Sequence, residues 1–316
     1  MADDLAAADA QEEDEIFVYM GGNQVVPRGV RRARIHKSVK IIRAGAFRHR
    51  RDLVSVEFHD GIEIIGDYAF HGCRLTSVKL LGIKVIKLGA FYDCGVTDVE
   101  FGDKLETIEE WAFYYCTSLS SITMPFVRTI GKYAFYRCEQ LTDLELPEGL
   151  KTVGKGAFSC CTRLRHITLP LKNDLIKNRV FERCPNLTTV NLVGRVHKTV
   201  SSLHHESWRN EMTGEINRIN RVLPDTDAEQ KTQVIRRVIR QLNHYKTEHH
   251  KMLKEATTLL ELALWKANLD NNEGGALERE TVRTTRRQLK RARKEISITS
   301  GASIVIKNVL PFLELK

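Results

Sequence analysis

Six cysteines recur at nearly constant spacing in this 316-residue chain, with successive members 21 to 23 residues apart. They are Cys73, Cys94, Cys116, Cys138, Cys161 and Cys184. A thiol acts as a nucleophile when a base lies beside it, and four convergent ligands bind zinc. A catalytic cysteine is normally single, however, and zinc-binding cysteines usually come in close pairs. Six equivalent cysteines without a matching series of histidines therefore favour packing in a core.

The cysteines belong to a larger repeat that is built around phenylalanine. Its seven copies, again 21 to 23 residues apart, are marked by Phe47, Phe70, Phe91, Phe113, Phe135, Phe158 and Phe181. An alanine precedes every phenylalanine except the last, which follows Val180. The cysteine comes three residues after the phenylalanine, although Arg50 takes its place in the first copy. Cys160 lies outside this series, and we expect it to be exposed and to react with a labelling reagent.

An alternating apolar run follows each cysteine position, as in "LTDLEL" at residues 141–146. Side chains alternate between the two faces of a strand, so Leu144 and Leu146 should point inward while Asp143 and Glu145 point outward. Parallel copies stacked about 4.8 Å apart would join their apolar faces into one continuous core. The alanine–phenylalanine pair is expected in a tight helical turn that brings the chain back. The sequence thus predicts an α+β fold in which about seven repeats form a solenoid.

This compound pattern resembles the BspA-like leucine-rich repeat family, whose repeats have the form LxxLxLPxxLxxIgxxAFxxC. The resemblance covers about residues 16–193 and implies a leucine-rich repeat solenoid. The family's proline after the strand and glycine before the turn are matched by Pro125, Pro147, Pro170, Gly66, Gly131 and Gly154. The first copy lacks the cysteine and the seventh reads "NRVF", and such departures are typical of terminal repeats.

The composition divides the chain into three parts. Residues 1–15 are acidic and are expected to be a disordered tail, and residues 16–200 form the solenoid with an N-terminal cap. Residues 201–316 are expected to be an α-helical extension. We divide this extension into a capping helix at 205–223, a long helix at 226–269 and a return segment at 276–313. Thr226 and Glu229 have the spacing of a capping box at the start of the long helix.

The long helix should outreach the solenoid. It would span roughly 66 Å, whereas seven stacked repeats span only about 34 Å at the strand spacing. Part of its apolar stripe would then remain uncovered, so self-association as a homo-oligomer, for example as a coiled coil, is a hypothesis. The capping helix is expected to cover the last repeat, because an open solenoid end leaves backbone groups unpaired.

Two surfaces are candidates for binding a partner. The outward strand positions are small and polar, with an acidic middle formed by Asp98, Glu100, Asp143 and Glu145. This face is either a solvated sheet or a surface for a basic partner. The turns carry aromatic residues at repeat spacing, namely Tyr68, Tyr92, Trp111, Tyr114, Tyr133 and Tyr136. Stacked repeats would gather them into one strip, which is either packing or a protein-binding surface.

Charge is segregated along a chain whose net charge is +9. All charged side chains within residues 28–51 are basic, and the first acidic residue after them is Asp52. A second basic cluster lies at residues 279–294. The candidate polyanion-binding residues are Arg31, Arg32, Arg34, Arg286, Arg287, Lys290, Arg291, Arg293 and Lys294. They support an alternative function as a nuclear or nucleic-acid-associated adaptor, whose binding would weaken steeply with salt.

The remaining motifs predict no catalytic, cofactor-binding or metal-binding residue. We therefore interpret the protein as a non-enzymatic scaffold for protein–protein interaction whose partner the sequence does not identify. No secretory signal or membrane span is recognisable, so we expect the cytoplasm, with the nucleus as the alternative.

Overall fold

The structure is a computed structural model that describes residues 16–193 and 206–270. The chain divides into two compact units, one of residues 1–194 with 215–240 and one of residues 195–214 with 241–316. The predicted acidic tail at 1–15 and the return segment at 276–313 lie outside the described residues.

The solenoid contains fifteen strands in its described residues, and all of their pairings are parallel. Their bounds are β1 Ile16–Tyr19, β2 Arg32–Ile35, β3 Ile41–Ile42, β4 Ser55–Glu57, β5 Ile64–Ile65, β6 Ser77–Leu80, β7 Val85–Ile86, β8 Asp98–Phe101, β9 Thr107–Ile108, β10 Ser121–Thr123, β11 Thr129–Ile130, β12 Asp143–Glu145, β13 Thr152–Val153, β14 His166–Pro170 and β15 Thr189–Val193. They confirm a leucine-rich repeat solenoid of about seven turns.

The longer strands form one face of the solenoid. The strands β1, β2 and β4 make a three-stranded sheet, and β6, β8, β10, β12, β14 and β15 make a six-stranded sheet in that order. Equivalent repeat positions pair directly, as Asp143 does with His166. The alternation is as predicted, because Leu144 and Leu146 are buried while Asp143 and Glu145 are exposed.

The apolar pair before each turn forms a second face. Its two-residue strands β3, β5, β7, β9, β11 and β13 pair in chain order into a six-stranded sheet. One residue of each pair is fully or almost fully buried, as Ile130 is on β11. A close backbone approach explains the glycine that follows: a Cβ on Gly131 would lie 2.4 Å from the backbone nitrogen of Glu110 in the preceding repeat.

The phenylalanine lies in a hydrogen-bonded turn rather than in the helical turn expected from the sequence. The residues two before and two after each phenylalanine have positive φ in all seven repeats, as Trp111 and Tyr115 do around Phe113. Alternate N–H groups of the turn donate to the next repeat, and the Phe113 nitrogen lies 2.7 Å from the Ala134 oxygen. In a helix, these N–H groups would donate to carbonyl oxygens of the same segment. Because they donate to the next repeat instead, the turn is not helical.

The seven phenylalanines form the centre of the core. All are 0% exposed, and successive rings stack with centroids 5.0 to 6.1 Å apart. Burying each ring stabilises the fold by about 1.5–3 kcal/mol. Tyr19 continues the stack at the N-terminal end, with its centroid 5.1 Å from that of Phe47. The repeat thus places identical side chains in register, one above the other.

Two helices follow the strands, α1 Glu206–Val222 and α2 Lys231–Asp270. The long helix begins at Lys231 rather than at the predicted Thr226. The Asp227 carboxylate accepts the Glu229 N–H at 2.7 Å, which closes a turn before the helix instead of the expected capping box. The Thr226 hydroxyl instead donates to the Val222 carbonyl at 2.8 Å.

Residues of both helices contact the last repeat within the first unit. The Lys231 ammonium donates to the carbonyl oxygens of Pro185 and Leu187 at 2.7 and 2.6 Å. The Phe181 N–H donates to the Thr232 hydroxyl, and the Val190 N–H donates to the Asn220 side chain, both at 2.8 Å. These bonds supply partners for backbone N–H and carbonyl groups of the last repeat. Within the solenoid, such groups pair with the following repeat.

Candidate functional site: an aromatic groove on the turns

A groove of about 890 Å³ runs along the phenylalanine-containing turns and is here called the aromatic groove. Its lining residues are Arg48, Tyr68, His71, Tyr92, Trp111, Tyr114, Tyr133, Tyr136, Ser159, Cys160, Arg179, Glu182 and Arg183. All six aromatic residues selected from the sequence are among them. The structure therefore brings these six together on one surface.

One side of the groove is a column of tyrosines that directly follow the phenylalanines. The rings of Tyr92 and Tyr114 stack 4.8 Å apart, and those of Tyr114 and Tyr136 stack 4.7 Å apart. His71 extends the column and meets Tyr92 edge-on at 4.8 Å. The rings are half-buried, because stacking covers their faces.

The other side is formed by residues two positions before the phenylalanine. Tyr68, Trp111 and Tyr133 have φ values of 52°, 59° and 51°, a left-handed conformation that costs a bulky residue about 1–2 kcal/mol. Glycine takes the same position in other repeats. A Cβ on Gly89 would lie 2.4 Å from the Tyr68 ring, and one on Gly156 would lie 2.3 Å from the Tyr133 ring. These two aromatic rings therefore lie over the glycine of the following repeat.

The three phenol groups of the tyrosine column stay protonated at physiological pH because their pKa values are raised. Burial raises the pKa values of Tyr92 and Tyr114, and a hydrogen bond with Cys160 together with burial raises that of Tyr136 to about 12. Within the described part of the chain, the hydroxyls of Tyr92 and Tyr114 have no hydrogen-bond partner in the protein. They remain available as donors to a bound molecule.

The two ends of the groove are basic. The Arg48 guanidinium lies over the Tyr68 ring, 5.5 Å from its centroid. At the other end, Arg179 contacts Glu182 and Arg183 contacts Glu229, each at the long distance of 3.8 Å. Both arginines are well exposed, at 62% and 65% of their side chains. A molecule lying along the groove would meet cations at both of its ends.

Cys160 corrects one expectation from the sequence. It was expected to be exposed, but it is buried, with 9% of its surface accessible. Its left-handed turn position, with φ of 61°, places it against Ser159, whose hydroxyl lies 3.8 Å from its sulfur. It is nevertheless the most accessible of the seven cysteines and the one that lines the aromatic groove.

The six equivalent thiols are buried and structural. Cys73, Cys116, Cys138, Cys161 and Cys184 each donate a hydrogen bond to the carbonyl of the phenylalanine one repeat earlier, at 3.1 to 3.4 Å. Burial raises the pKa of every one of the six, to about 12 at Cys94 and Cys184. A thiol held protonated is a poor nucleophile and a poor metal ligand. Among the described residues, no three histidine, cysteine or acidic side chains are arranged to hold a metal ion.

The four acidic candidates lie on the outward face of the long-strand sheet but do not form an uncompensated patch. Lys79 pairs with Glu100 at 3.3 Å, and His166 lies 2.9 Å from Asp143. Hydrogen bonds from Thr142 and from His166 lower the pKa of Asp143. Asp98 and Glu145 are likewise exposed on this face.

Three of the nine basic candidates lie within the residues that the structure describes. Arg31, Arg32 and Arg34 are exposed at the N-terminal end, and the Arg34 guanidinium donates to Glu57 at 2.6 Å. In the same basic segment, Arg43 and Arg50 donate to the carbonyls of Gln24 and Val26, at 3.1 and 2.7 Å. Some of this positive charge therefore serves to hold the N-terminal end together. Arg286, Arg287, Lys290, Arg291, Arg293 and Lys294 lie outside the described residues.

Sequence reasoning missed the charged and polar residues of the groove. Arg48, His71, Ser159 and Glu182 occupy the same repeat position as the tyrosine column, and Arg179 occupies the position of Trp111. A full alignment of the seven copies, read by position rather than by residue type, contains the signal that would have found them. Neither helix, within residues 206–270, offers the long apolar stretch that crossing a membrane requires.

The chain is similar in part to solved structures of bacterial leucine-rich repeat proteins. A leucine-rich repeat protein from T. pallidum is 31% identical over 48% of this chain and 62% of its own chain, with a TM-score of 0.35. A leucine-rich repeat protein from Bacteroides ovatus is 21% identical over 52% of this chain and 54% of its own, with a TM-score of 0.33. The chain thus spans less than two thirds of either structure. A comparison with curated protein sequences finds no significant match.

The model of the BspA type leucine rich repeat region matches this sequence in six copies. The matched residues are 29–89 and 84–210, which cover more than half of the chain. They include the buried phenylalanines, the thiols and both sides of the aromatic groove. The chain therefore belongs to the BspA-type leucine-rich repeat family.

Proposed function

We propose that this protein is a non-enzymatic scaffold that binds a partner protein in the aromatic groove. Leucine-rich repeat proteins are generally scaffolds for protein interactions, and solenoids bind through extended surfaces made by stacked repeats. The observation that supports the groove is its column of half-buried tyrosines, in which the hydroxyls of Tyr92 and Tyr114 have no hydrogen-bond partner among the described residues. Tyrosine, tryptophan and arginine are also the residues that dominate binding energy at protein interfaces.

The groove is a better candidate than the long-strand sheet. The sheet carries small polar side chains, and its charges at Glu57, Glu100 and Asp143 already have partners within the solenoid. Breaking such pairs to bind a basic partner would offset part of the gain from new contacts. The groove instead presents large rings and exposed arginines.

The alternative as a nuclear or nucleic-acid-associated adaptor has weaker support in the described residues. Arg34, Arg43 and Arg50 have partners within the N-terminal end of the solenoid. Self-association through the helical extension remains a separate proposal that rests on the length of α2, which has 40 residues. Sedimentation of the full-length protein at tens of micromolar would test it, and a monomer would contradict it.

Affinity capture with the full-length protein tests the proposed function. Proteins captured by the wild type are compared with those captured by Trp111→Gly with Tyr114→Ala in the groove. The matched control is Ser121→Arg with Thr123→Arg on β10, which changes the sheet face of a neighbouring strand. We expect the groove variant to lose the captured partner and the sheet variant to retain it. The reverse result would move the binding surface to the sheet.

A further inference from the structure

We propose that the aromatic groove recognises an extended, proline-rich peptide segment in the polyproline II conformation, flanked by acidic residues. This inference rests on the proposed function and names the chemistry of the segment that the groove would bind. The spacing of the rings, the donors they carry and the charges at the two ends of the groove favour such a peptide.

The ring spacing matches the pitch of a polyproline II helix. Successive tyrosine rings of the column lie 4.8 and 4.7 Å apart. The centroids of rings two repeats apart, as in Tyr92 and Tyr136, are therefore at most about 9.5 Å apart. A polyproline II helix makes one turn every three residues and rises about 9.3 Å in that turn. Every third residue of the peptide would therefore meet every second ring. A β-strand repeats its face after about 6.7 Å and falls out of register with these rings.

The hydrogen-bonding groups of the groove also suit such a peptide. A polyproline II helix has no internal hydrogen bonds, so its carbonyl oxygens point outward and need donors. The hydroxyls of Tyr92 and Tyr114 have no partner among the described residues and lie on the groove. Ring edges carry positive partial charge and also favour contact with carbonyl oxygens. An α-helical segment would offer few free carbonyls, because it uses them internally.

Three aromatic residues occupy a backbone position where glycine would be less strained. Tyr68, Trp111 and Tyr133 have positive φ, whereas Gly89 and Gly156 occupy the same position of other repeats. Tyr68 and Tyr133 each lie over one of these glycines. These rings also touch the column, since Tyr133 meets Tyr136 edge-on at 5.8 Å and Tyr68 lies 5.8 Å from His71. A groove lined by contiguous aromatic rings is the type of surface on which polyproline II segments dock.

The charges define the flanks of the peptide. Arg48 lies at one end of the groove, and Arg179 and Arg183 lie at the other. Glu182 is the acidic side chain among the lining residues, and its contact with Arg179 is 3.8 Å long. Acidic residues on both sides of the proline-rich core would therefore complement the groove, and basic ones would be repelled.

Isothermal titration of the full-length protein tests the inference. The probe is a synthetic proline-rich peptide with glutamates at both ends, of roughly ten residues because each residue rises about 3.1 Å. One control peptide has glycine in place of every proline, and another has lysine in place of every glutamate. We expect the glycine peptide to bind at least about tenfold more weakly. The lysine peptide should also bind more weakly, by a ratio that shrinks as salt is added.

The matched protein variants are Trp111→Gly and Tyr114→Phe. Trp111→Gly removes a ring at a position where other repeats already carry glycine, so it should fold while losing about tenfold in affinity. Tyr114→Phe keeps the ring stack and removes one hydroxyl, so a loss of a few fold would assign that donor to the peptide. Ser121→Ala on β10 should bind like the wild type.

Three results would overturn the inference: no heat of binding with the proline-rich probe, equal affinity for the glycine control, or unchanged affinity in both groove variants. The outcomes separate this inference from the proposed function. Groove-dependent capture of a partner without binding of the proline-rich probe leaves the scaffold function standing and rejects the peptide chemistry. In the opposite case, the probe binds in the groove but the β10 variant loses the captured partner. That result supports the peptide chemistry and rejects the groove as the surface that binds the partner protein.

Discussion

The Cys138 thiol donates a hydrogen bond to the carbonyl oxygen of Phe113, one repeat earlier, with 3.4 Å between sulfur and oxygen. This bond joins the thiol series to the phenylalanine stack, and four other cysteines repeat it. It explains why a small residue with a weak donor suits this position better than a purely apolar residue of similar size. Burial, which raises the pKa values of these thiols, makes them poor reactants.

Thiol labelling should therefore separate Cys160 from the other cysteines. At pH 8 and under native conditions, we expect a thiol reagent to modify Cys160 first and the six equivalent thiols only on unfolding, because burial raises their pKa values. Mass spectrometry of the labelled peptides measures the order. Cys160→Ser should abolish the early phase, and an early phase that persists in this variant would contradict the assignment.

A pair of phenylalanine substitutions should separate the core from the surface. Phe135→Ala removes a ring that is 0% exposed and should lower the free energy of unfolding by about 3–5 kcal/mol. Phe126→Ala removes a ring that is 53% exposed and should change it little. Urea unfolding of both variants makes the comparison. Similar losses in both would mean that the stack of rings does not carry the stability assigned to it.

The glycine before the turn should be intolerant of a side chain. Gly131→Ala places a Cβ against the backbone of the preceding repeat and should destabilise the protein by about 1–3 kcal/mol. Gly149→Ala is the matched control, because a Cβ there meets nothing within 4 Å. Thermal and urea unfolding would show the difference. Equal stability of the two variants would show that neighbouring repeats can move apart at Gly131 without cost.

His71 should make stability depend on pH. Burial, followed by the charges of His49 and Arg48, lowers its pKa, while Asp93 opposes the shift. The folded protein therefore binds the proton less readily than the unfolded chain does, whose histidine pKa is about 6.5. This contribution to stability is complete above that value and is lost as the pH falls through the lowered pKa.

The variant His71→Tyr tests this dependence, since the next three repeats carry tyrosine at the same position. Its unfolding free energy should fall less than that of the wild type between pH 7.5 and pH 5.5. Urea unfolding at both pH values gives the two slopes. If the unfolding free energies of both proteins fell equally between the two pH values, groups other than His71 would cause the acid sensitivity.

Lys231 should be important for the last repeat. Its ammonium is buried and donates to two carbonyls, and burial lowers its pKa. Lys231→Met removes both bonds and should cost about 1–3 kcal/mol, because two buried acceptors lose their partner. Lys155→Met changes an exposed lysine and serves as the control. A loss no larger than that of the control would show that water or a neighbouring group replaces the ammonium.

The residues of the aromatic groove were only partly predictable from the sequence. Tyr92, Tyr114 and Tyr136 share one repeat position, so stacking alone predicted that they would meet. Arg48 and His71 share that position too, but their different residue types concealed it. The basic ends of the groove were therefore absent from the predicted site.

What the sequence determined by itself is the repeating part of the protein. Seven copies of one pattern impose one environment on each position, so the buried phenylalanines, thiols and leucines followed from spacing alone. The tertiary structure decided the contacts that occur once. The long helix starts at Lys231 because a turn closed by Asp227 precedes it, and the lysine reaches two carbonyls of the last repeat. Periodicity specifies what recurs between neighbouring repeats, whereas a single long-range hydrogen bond leaves no periodic trace in a sequence.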